Sequence, residues 1–298
     1  MNHSVLYEEL LERLAMGLKT LPDKPEETPD STLRGLWHAA AGAPMSAELA
    51  CVSVLPVLDR SGESRLRAMV EQRLGGMPLA HINGRQRFMN MEMLAGPEAL
   101  VPRKETELLA RAAVDIASKM VNQQRSTTMV DVCTGSGNVA LAVAHHVPGV
   151  CVFGADISDA AVDLARLNAR HLSLDGRAKF SVGDLLAPFD TAEFHGTVDL
   201  LTCNPPYISS AKVKQLPSEI AAYEPLAAFD GGQFGVAIII RLIQDAPRFL
   251  RKGGWLATEI GLGQGPILAK QLKKNSAFAE VRTVQDNAGS IRVILARC

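Results

Sequence analysis

The chain has 298 residues, of which 47% are hydrophobic and 21% charged, as in globular proteins large enough for one large domain and one smaller one. Its net charge of −1 provides no global field that would attract nucleic acid or an anionic membrane. The five cysteines form no CxxC pair, no apolar run is long enough to span a membrane, and the N-terminus has no basic leader. We therefore expect a cytoplasmic protein with reduced thiols and no membrane partner.

The first 75 residues are predicted to form a small helical domain. The stretch Lys19–Thr32 contains three prolines among acidic residues and is expected to be a solvated linker. Up to Leu58 there are 4 Lys and Arg residues against 8 Asp and Glu, so this part carries a local negative charge. Residues Asp59–Gly62 are expected to end the third of four helices. Apolar side chains at helical spacing place these helices at Val5–Leu18, Leu33–Ala43, Ala47–Leu58 and Glu63–Leu74.

Residues 76–102 are predicted to be a β-hairpin that links this domain to the rest of the chain. The prediction depends on the turn residues Asn83-Gly84 and Gly96-Pro97. Pro102 then introduces a helix over Glu105–Met120, whose apolar residues form one stripe. Residues 103–298 are assigned to a single large domain.

The large domain is predicted to be α/β, because short β-branched runs alternate with helical patterns. The last two strands have no helix between them and must form an antiparallel hairpin. Seven strands that end in such a hairpin are typical of the doubly wound, Rossmann-like fold of S-adenosylmethionine (SAM)-dependent methyltransferases. The predicted strands are Thr128–Cys133, Val150–Asp156, Lys179–Gly183, Val198–Asn204, Gly254–Ile260, Val281–Gln285 and Ile291–Ala296, and the helices are Asn138–His146, Asp159–Leu174, Val236–Leu250 and Gln264–Lys274.

A glycine-rich loop follows the first strand of this domain. Its glycines allow a tight turn and a close approach of the backbone to a ligand. Read as G-x-G-x-x-A, the loop also fits a dinucleotide site, although that pattern alone is weak. Asp131, four residues before the first glycine, favours SAM instead, because a carboxylate there can bind an α-ammonium group. The predicted contacts in this loop are Asp131, Cys133, Thr134, Gly135, Ser136 and Gly137.

Acidic residues also end the next two strands. Asp156 lies 25 residues after Asp131, where a carboxylate can accept both hydroxyls of a ribose, and Ile157 follows it. Asp184 and Leu185 end the third strand, near the position expected for an adenine. Each acid alone fits a helix cap or a turn equally well. Their occurrence at consecutive strand ends, where doubly wound folds bind ligands, favours the SAM assignment.

The fourth strand ends in Asn204-Pro205-Pro206-Tyr207. Two successive prolines fix the backbone in extended geometry, so the carbonyls before them have fixed directions. Together with the side-chain oxygen of Asn204 they form a row of acceptors that can hold a planar –NH2 group, and the ring of Tyr207 adds an apolar wall. A Pro-Pro turn that only closes a strand is the competing interpretation. We predict that Asn204, Pro205, Pro206 and Tyr207 are the catalytic residues.

Other kinds of site find little support. The seven histidines show no metal-ligand spacing, and we predict no metal site. The sequence also lacks a G-x-S-x-G nucleophile motif and a phosphate-binding loop.

From about Pro78 onward the chain resembles the protein-glutamine methyltransferases that modify peptide-chain release factors. The resemblance implies that Cys133 through Gly137, Asp156, Leu185 and Asn204 line SAM, and that Asn204 to Tyr207 hold the substrate glutamine with Phe88 packed on it. It also implies a release factor as the protein partner, docked in part by the N-terminal domain. The matching blocks are PLAHINGRQRF (78–88), VPRKETELL (101–109), DVCTGSGNVALA (131–142), NPPYI (204–208), YEPLAAFDGG (223–232) and EIGLGQG (259–265).

The chain departs from the family pattern at Lys104, Phe234, Val236 and Ile240, and its first 75 residues match only in being helical. The expected reaction is direct attack of the amide nitrogen on the SAM methyl group, without a catalytic His or Glu. An amino-methyltransferase of RNA or DNA bases is the alternative, since base amino groups suit the same motif. It is less favoured, because residues 59–104 carry only 8 Lys and Arg against 5 Asp and Glu. Two further alternatives are the same chemistry on another protein or small-molecule amide, and a SAM-binding protein without activity.

Overall fold

Most helices and strands predicted from the sequence occur in the computed structural model, which describes residues 3–19, 24–121 and 127–298. In these residues no helix has the length and apolar character needed to cross a membrane. The helices are α1 (His3–Gly17), α2 (Pro29–Ala40), α3 (Ala47–Val52), α4 (Arg60–Leu74), α5 (Leu79–Asn83), α6 (Glu107–Val121), α7 (Asn138–His146), α8 (Asp159–His171), α9 (Ser210–Val213), α10 (Ser218–Tyr223), α11 (Ala237–Phe249) and α12 (Gly265–Lys274). The strands are β1 (Arg85–Phe88), β2 (Met91–Leu94), β3 (Thr127–Val132), β4 (Val150–Asp156), β5 (Ala178–Val182), β6 (Val198–Cys203), β7 (Leu250–Glu259), β8 (Glu280–Gln285) and β9 (Ile291–Arg297).

The chain folds as two units, and neither is a continuous piece of sequence. In both units the buried residues are mainly aliphatic, as expected for cores formed by amphipathic elements. The domain boundaries predicted from the sequence, 1–75, 76–102 and 103–298, stay a prediction. The described residues of Met1–Pro97 with Val101–Arg103 and Pro217–Glu224 form the first unit, and Glu98–Leu100, Lys104–Leu216 and Pro225–Cys298 form the second.

The core of the first unit is built by the apolar faces of α1, α2 and α4. Leu10, Leu36 and Leu66, one from each helix, have no solvent exposure. Trp37 is buried beside them, and its indole N–H donates to the carbonyl of Pro56 (2.8 Å). Burial of a leucine side chain contributes about 1.5–3 kcal/mol, so these helices stabilise one another mainly through this face.

Two predictions for the helical region were wrong. The linker was expected to run to Thr32, but α2 already begins at Pro29, because proline suits the first helical position and the Thr28 side chain caps Ser31. Residues 20–23 of that linker lie outside the described residues. The helix expected over Ala47–Leu58 ends at Val52.

The residue expected to end that helix has a different role. Asp59 caps the next helix, α4, and its Oδ1 accepts the backbone N–H of Gly62 (2.6 Å). The sequence Asp59–Gly62 therefore signals the start of a helix, and the prediction that it ends the preceding helix is wrong.

The hairpin between residues 76 and 102 is shorter than predicted. Asn83-Gly84 was expected to form a turn of the hairpin, but these residues end α5, and Gly84 has the positive φ of a helix C-cap (70°). The two strands β1 and β2 are joined instead at Met89-Asn90, whose φ angles are 48° and 63°. Two consecutive left-handed residues match a two-residue hairpin turn, which glycine or asparagine normally marks.

Buried ion pairs connect three distant parts of the first unit. Nζ of Lys24 lies 3.0 Å from Glu219, and the guanidinium of Arg73 pairs with Glu27 (2.9 Å) and Glu219 (3.2 Å). Each of these side chains is less than a tenth exposed. We call Lys24, Glu27, Arg73 and Glu219 the buried charge cluster. It ties α10, which lies far along the chain, to the N-terminal helices.

The second unit contains the seven-stranded sheet, in the order β5-β4-β3-β6-β7-β9-β8. The strands from β3 to β7 are parallel, and β9 is antiparallel to both β7 and β8. Since crossover connections between parallel strands are right-handed, the helices before and after the reversal of the strand order cover opposite faces of the sheet. The doubly wound fold predicted from the sequence is confirmed. The strand order reverses between β3 and β6, which is where such folds bind ligands.

Candidate functional site

The loop after β3 has the backbone geometry of a ligand-binding turn. Cys133, Gly135 and Gly137 have positive φ angles of 55°, 53° and 81°. A Cβ at Gly137 would also lie 3.1–3.2 Å from Leu141, Ala165 and Phe180, so this crowding and the positive φ both favour glycine at this position. A Cβ at Gly135 would instead meet open space, which leaves room for a ligand over the loop.

Asp131, at the end of β3, is buried and bonded inside the protein. Its carboxylate accepts the hydroxyls of Thr134 and Thr202, both at 2.6 Å. Burial raises the pKa of Asp131 to about 6, although these hydroxyl bonds oppose the rise. In the structure Asp131 therefore holds the glycine loop against β6. Its predicted contact with an α-ammonium group stays a prediction.

Asp156, at the end of β4, supports the same loop from the neighbouring strand. One carboxylate oxygen accepts the backbone N–H of Gly135 (2.9 Å), and the other accepts that of Ser158 (3.0 Å). Each carboxylate oxygen can accept a further hydrogen bond. The next residue, Ile157, is 69% exposed, which is high for a large apolar side chain. A carboxylate beside an exposed apolar surface suits a ribose that carries a flat base.

The end of β5 contributes Asp184 and Leu185. Leu185 has a positive φ (50°) and is almost buried, whereas Asp184 forms an ion pair with Arg241 of α11 (2.7 Å). The predicted contact of Asp184 with the ligand would have to share that carboxylate with Arg241. The contacts of Asp184 and Leu185 with SAM stay predictions.

The Asn204–Tyr207 motif follows β6 and is packed tightly on its outer side. The side-chain amide of Asn204 donates to the hydroxyl of Thr106 (3.2 Å), which fixes the plane of the amide. A Cβ at Gly231 would lie 2.4 Å from the carbonyl of Pro206, and one at Gly235 only 2.1 Å from that of Tyr207. The glycines at positions 231 and 235 are thus explained by close contact with the motif.

The hydroxyl of Tyr207 lies in a cluster that sequence analysis missed. Glu105, Tyr207, Glu259 and Arg292 form what we call the Tyr207 cluster. The hydroxyl is within hydrogen-bond distance of Glu105 (3.0 Å) and Glu259 (3.2 Å), and Arg292 lies 3.1 Å from Glu105 and 3.7 Å from Glu259. Its guanidinium also lies 5.9 Å from the centre of the Tyr207 ring. One cation and one hydroxyl proton are thus shared by two carboxylates.

The electrostatics of this cluster favour a bound proton. Burial raises the pKa of Glu259 to about 7, and the charge of Glu105 adds to the effect. Burial also raises the pKa of Tyr207 far above its ordinary value, with the two carboxylates adding to it. Near neutral pH the phenol therefore stays protonated, and Glu259 is close to its titration point.

The remaining predicted residue, Phe88, belongs to the first unit. It lies in β1 and has no solvent exposure. Its contact with a substrate glutamine stays a prediction. Within the part of the chain that the structure describes, no group of three or more His, Cys, Asp or Glu side chains could hold a metal ion.

Comparisons with known proteins agree with this geometry. The model of the methyltransferase small domain family matches residues 103–222. The release factor glutamine methyltransferase of Gloeobacter violaceus is 36% identical over 232 residues, which is 78% of each chain. That of Moorella thermoacetica is 36% identical over 227 residues, covering 76% of this chain and 77% of the relative. The N-terminal domain of human METTL16, solved in complex with SAH, has the same fold at a TM-score of 0.50 and 15% identity, over 70% of this chain and 76% of that one.

Proposed function

The chain belongs to the release factor glutamine methyltransferase family, and from that premise we propose that it methylates the side-chain amide of a glutamine in a peptide-chain release factor. S-adenosylmethionine is the cofactor of the enzyme. The observation that carries the proposal is the rigid Asn204–Tyr207 motif at the end of β6, next to the glycine loop at the point where the strand order reverses.

The residues at this edge of the sheet fit SAM by their chemistry. Asp156 has acceptor capacity for the two ribose hydroxyls, and the exposed side chain of Ile157 offers an apolar surface for the adenine. The open space over Gly135 leaves room for the rest of the ligand. When bound, SAM supplies a methyl group on a positively charged sulfur, and this methyl group can be transferred to a nucleophile.

The motif would hold the substrate amide by its two N–H groups. The side-chain oxygen of Asn204 and the backbone carbonyl of Pro205 are the proposed acceptors. The bond from Asn204 to Thr106 supports this role, because it commits the side-chain nitrogen and leaves the oxygen as the acceptor. Acceptors on both hydrogens orient the nitrogen lone pair away from the motif. Positioning of this kind can lower the activation barrier of a reaction between two bound groups by about 7–11 kcal/mol.

The Tyr207 cluster would keep the motif in place. The bonds of the Tyr207 hydroxyl to Glu105 and Glu259 fix the ring, and the carbonyl of Tyr207 accepts the side-chain amide of Gln264 (3.0 Å). During transfer a nitrogen–carbon bond forms as the carbon–sulfur bond breaks. The amide proton becomes acidic once the nitrogen carries the methyl group and leaves to water, so no side chain has to remove it beforehand.

We further propose that the first unit selects the protein substrate. Three valines of this unit, Val52, Val54 and Val57, are each at least 80% exposed, which is unusual for three apolar residues so close in sequence. Val52 ends α3 and the other two follow it, and together they offer an apolar surface to a protein partner. Replacing Val54 and Val57 by Asp should weaken methylation of an intact release factor and leave methylation of a short glutamine peptide unchanged. An equal effect on both substrates would contradict a docking role.

The proposed substrate is tested by transfer of a labelled methyl group. The enzyme is incubated with SAM carrying a tritiated methyl group and a purified release factor, and the modified residue is identified by mass spectrometry. We expect the label on one glutamine, and labelling that is ~10²–10³-fold slower when Asn204→Ala replaces the wild-type enzyme. A second incubation replaces the purified release factor by a cell lysate. Label in the RNA fraction of that lysate, together with an unmodified release factor, would favour the amino-methyltransferase alternative and overturn the proposal.

A further inference from the structure

A cationic cavity lies in the second unit, away from the strand ends that form the candidate site. Its volume is about 310 Å³, and it is lined by the end of α6, the first half of β7, and β8 and β9. Four basic side chains from these four elements line it together with one aromatic ring: Lys119, Arg251, Arg282, Arg297 and Trp255.

The sheet register explains why these residues meet. Trp255 of β7 is paired with Arg297 of β9, which is paired in turn with Glu280 of β8. The guanidinium of Arg282 lies 5.1 Å from the centre of the Trp255 ring, and that of Arg297 lies 5.9 Å from it. Two arginines therefore lie against the same indole, and each presents a fork of N–H donors near the cavity.

The charge of the lining is only partly balanced. Arg251 pairs with Asp199, and Arg282 pairs with Glu280. Among the residues that the structure describes, the four cations of the lining are balanced by two carboxylates, which leaves a surplus of two positive charges around the cavity. Such a surplus attracts an anion to the cavity. The negative end of the dipole of α6 favours a cation in its last turn, which explains Lys119. It does not explain the three arginines.

This cavity is separate from the candidate methyl-transfer site. It adjoins Arg251 to Trp255 in the first half of β7, whereas Glu259 of the Tyr207 cluster ends the same strand. Four residues of strand between Trp255 and Glu259 span about 13 Å. The cavity also shares no lining residue with the glycine loop or with the Asn204–Tyr207 motif.

We propose that this cavity binds a phosphate-bearing ligand. Arginine forks match the oxygen geometry of phosphate and can bind it with two hydrogen bonds each, and the surplus of two charges matches a phosphate dianion. The indole of Trp255 adds an apolar wall beside the phosphate position. A volume near 300 Å³ is at the small end of ligand sites, which suits pyrophosphate or a mononucleotide. The phosphate could equally belong to a free nucleotide or to an RNA backbone.

The test measures binding to the full-length enzyme by isothermal titration calorimetry. The probes are pyrophosphate, adenosine monophosphate and a single-stranded RNA oligonucleotide. The cavity variant is Lys119→Gln with Arg282→Gln, two side chains that are largely exposed, so the fold should tolerate the change. The matched control is Arg170→Gln with Lys179→Gln, which removes two exposed cations elsewhere in the same unit. SAM affinity, measured in all three proteins, reports whether the second unit remains folded.

We expect saturable binding of one pyrophosphate or nucleotide per chain, with an affinity at least ~10-fold lower in the cavity variant, since two cations that would donate charged hydrogen bonds to the phosphate are removed. The control and the wild type should bind alike, and saturating SAM should not compete. If RNA binds more tightly than adenosine monophosphate and pyrophosphate displaces it, the phosphate comes from a nucleic acid, which also supports the proposal. Equal binding of the probes to the cavity variant and the wild type, or no saturable binding to the wild type, would overturn it. If the double variant does not fold, Lys119→Gln alone is compared with the wild type in the same way, and we expect a smaller loss of affinity for the phosphate probes.

Discussion

The cofactor edge of the sheet and the Tyr207 cluster are neighbours that are built in opposite ways. At the cofactor edge, single stretches of sequence supply both the ligand-facing groups and some of their supports, as when Asp156 accepts the N–H of Ser158. In the Tyr207 cluster, four residues from four distant segments meet around one hydroxyl. The first region is defined by local backbone geometry and the second by tertiary packing. Mutations should therefore separate them: damage at the edge should weaken SAM binding, and damage in the cluster should slow turnover.

Asn204 lies where the two regions meet and should give the largest effect. Asn204→Ala removes one acceptor for the substrate amide, an interaction whose value is greatest in the transition state. One preorganised hydrogen bond of this type can be worth ~10²–10³-fold in kcat, while SAM affinity should fall only slightly. Asn204→Asp keeps an acceptor and adds a negative charge near the position of the sulfur cation, so it should tighten SAM binding and still impair turnover. SAM binding and kcat must be measured separately for both variants. Near-normal turnover of Asn204→Ala would exclude the proposed mechanism.

Asp156→Ala tests the cofactor edge alone. The ribose hydroxyls would lose a charged acceptor, a loss of ~1.5–3 kcal/mol in SAM binding, or about 10- to 100-fold in Kd. The loop would also lose its bond at Gly135. Asp163→Ala, which removes an exposed carboxylate from α8, is the matched control. Isothermal titration calorimetry measures the Kd of SAM for both variants. An unchanged Kd in a folded Asp156→Ala protein would contradict the assignment of Asp156 as the acceptor of the ribose hydroxyls.

Tyr207→Phe tests the cluster alone. The ring remains, but both carboxylates lose their shared donor, so the motif should be held less firmly. We expect kcat to fall about 10-fold, the scale of one hydrogen bond to a charged group, with SAM affinity unchanged. Tyr7→Phe removes a tyrosine–carboxylate bond of the first unit, that to Asp30, and should leave kcat unaltered. If Tyr207→Phe weakens SAM binding as much as it slows turnover, the two regions do not act separately.

A separate effect, on folding and not on catalysis, is expected in the pH dependence of stability. Burial raises the pKa of Glu259 to about 7, above the value of 4.5 expected when it is exposed in the unfolded chain. Between these values the folded protein binds more protons than the unfolded one, so the contribution of Glu259 to stability is complete below pH 4.5 and is lost as the pH rises through 7. Glu259→Gln should flatten this part of the profile. Urea unfolding at several pH values measures it.

Asp131 provides the control for that measurement. Its pKa is also raised, to about 6, so it gives a slope of the same sign at slightly lower pH. That slope should persist in Glu259→Gln and disappear in Asp131→Asn. A Glu259→Gln profile identical to the wild type would show that Glu259 does not titrate in this range.

The same contrast explains which features could be predicted from the sequence. The bounds of α7 and β4 match the prediction, because both are bordered by strong local signals. The glycine loop and Asp156 are readable for the same reason. No spacing rule connects Glu105, Glu259 and Arg292, so their meeting at Tyr207 could not be inferred. The start of β7 at Leu250 instead of Gly254 was also missed, since Gly253-Gly254 resembles a turn and not the middle of a strand.

The buried charge cluster of the first unit has a consequence for the order in which the protein is made. Glu219 is synthesised 146 residues after Arg73, with which it pairs. Until then, Lys24 and Arg73 have only Glu27 as a partner within this cluster, so packing both cations at their final depth would leave one positive charge uncompensated. An unpaired buried charge destabilises a fold by several kcal/mol. The N-terminal helices should therefore stay loosely packed on the ribosome until the chain has grown past α10, and fold fully only as the sheet is being completed.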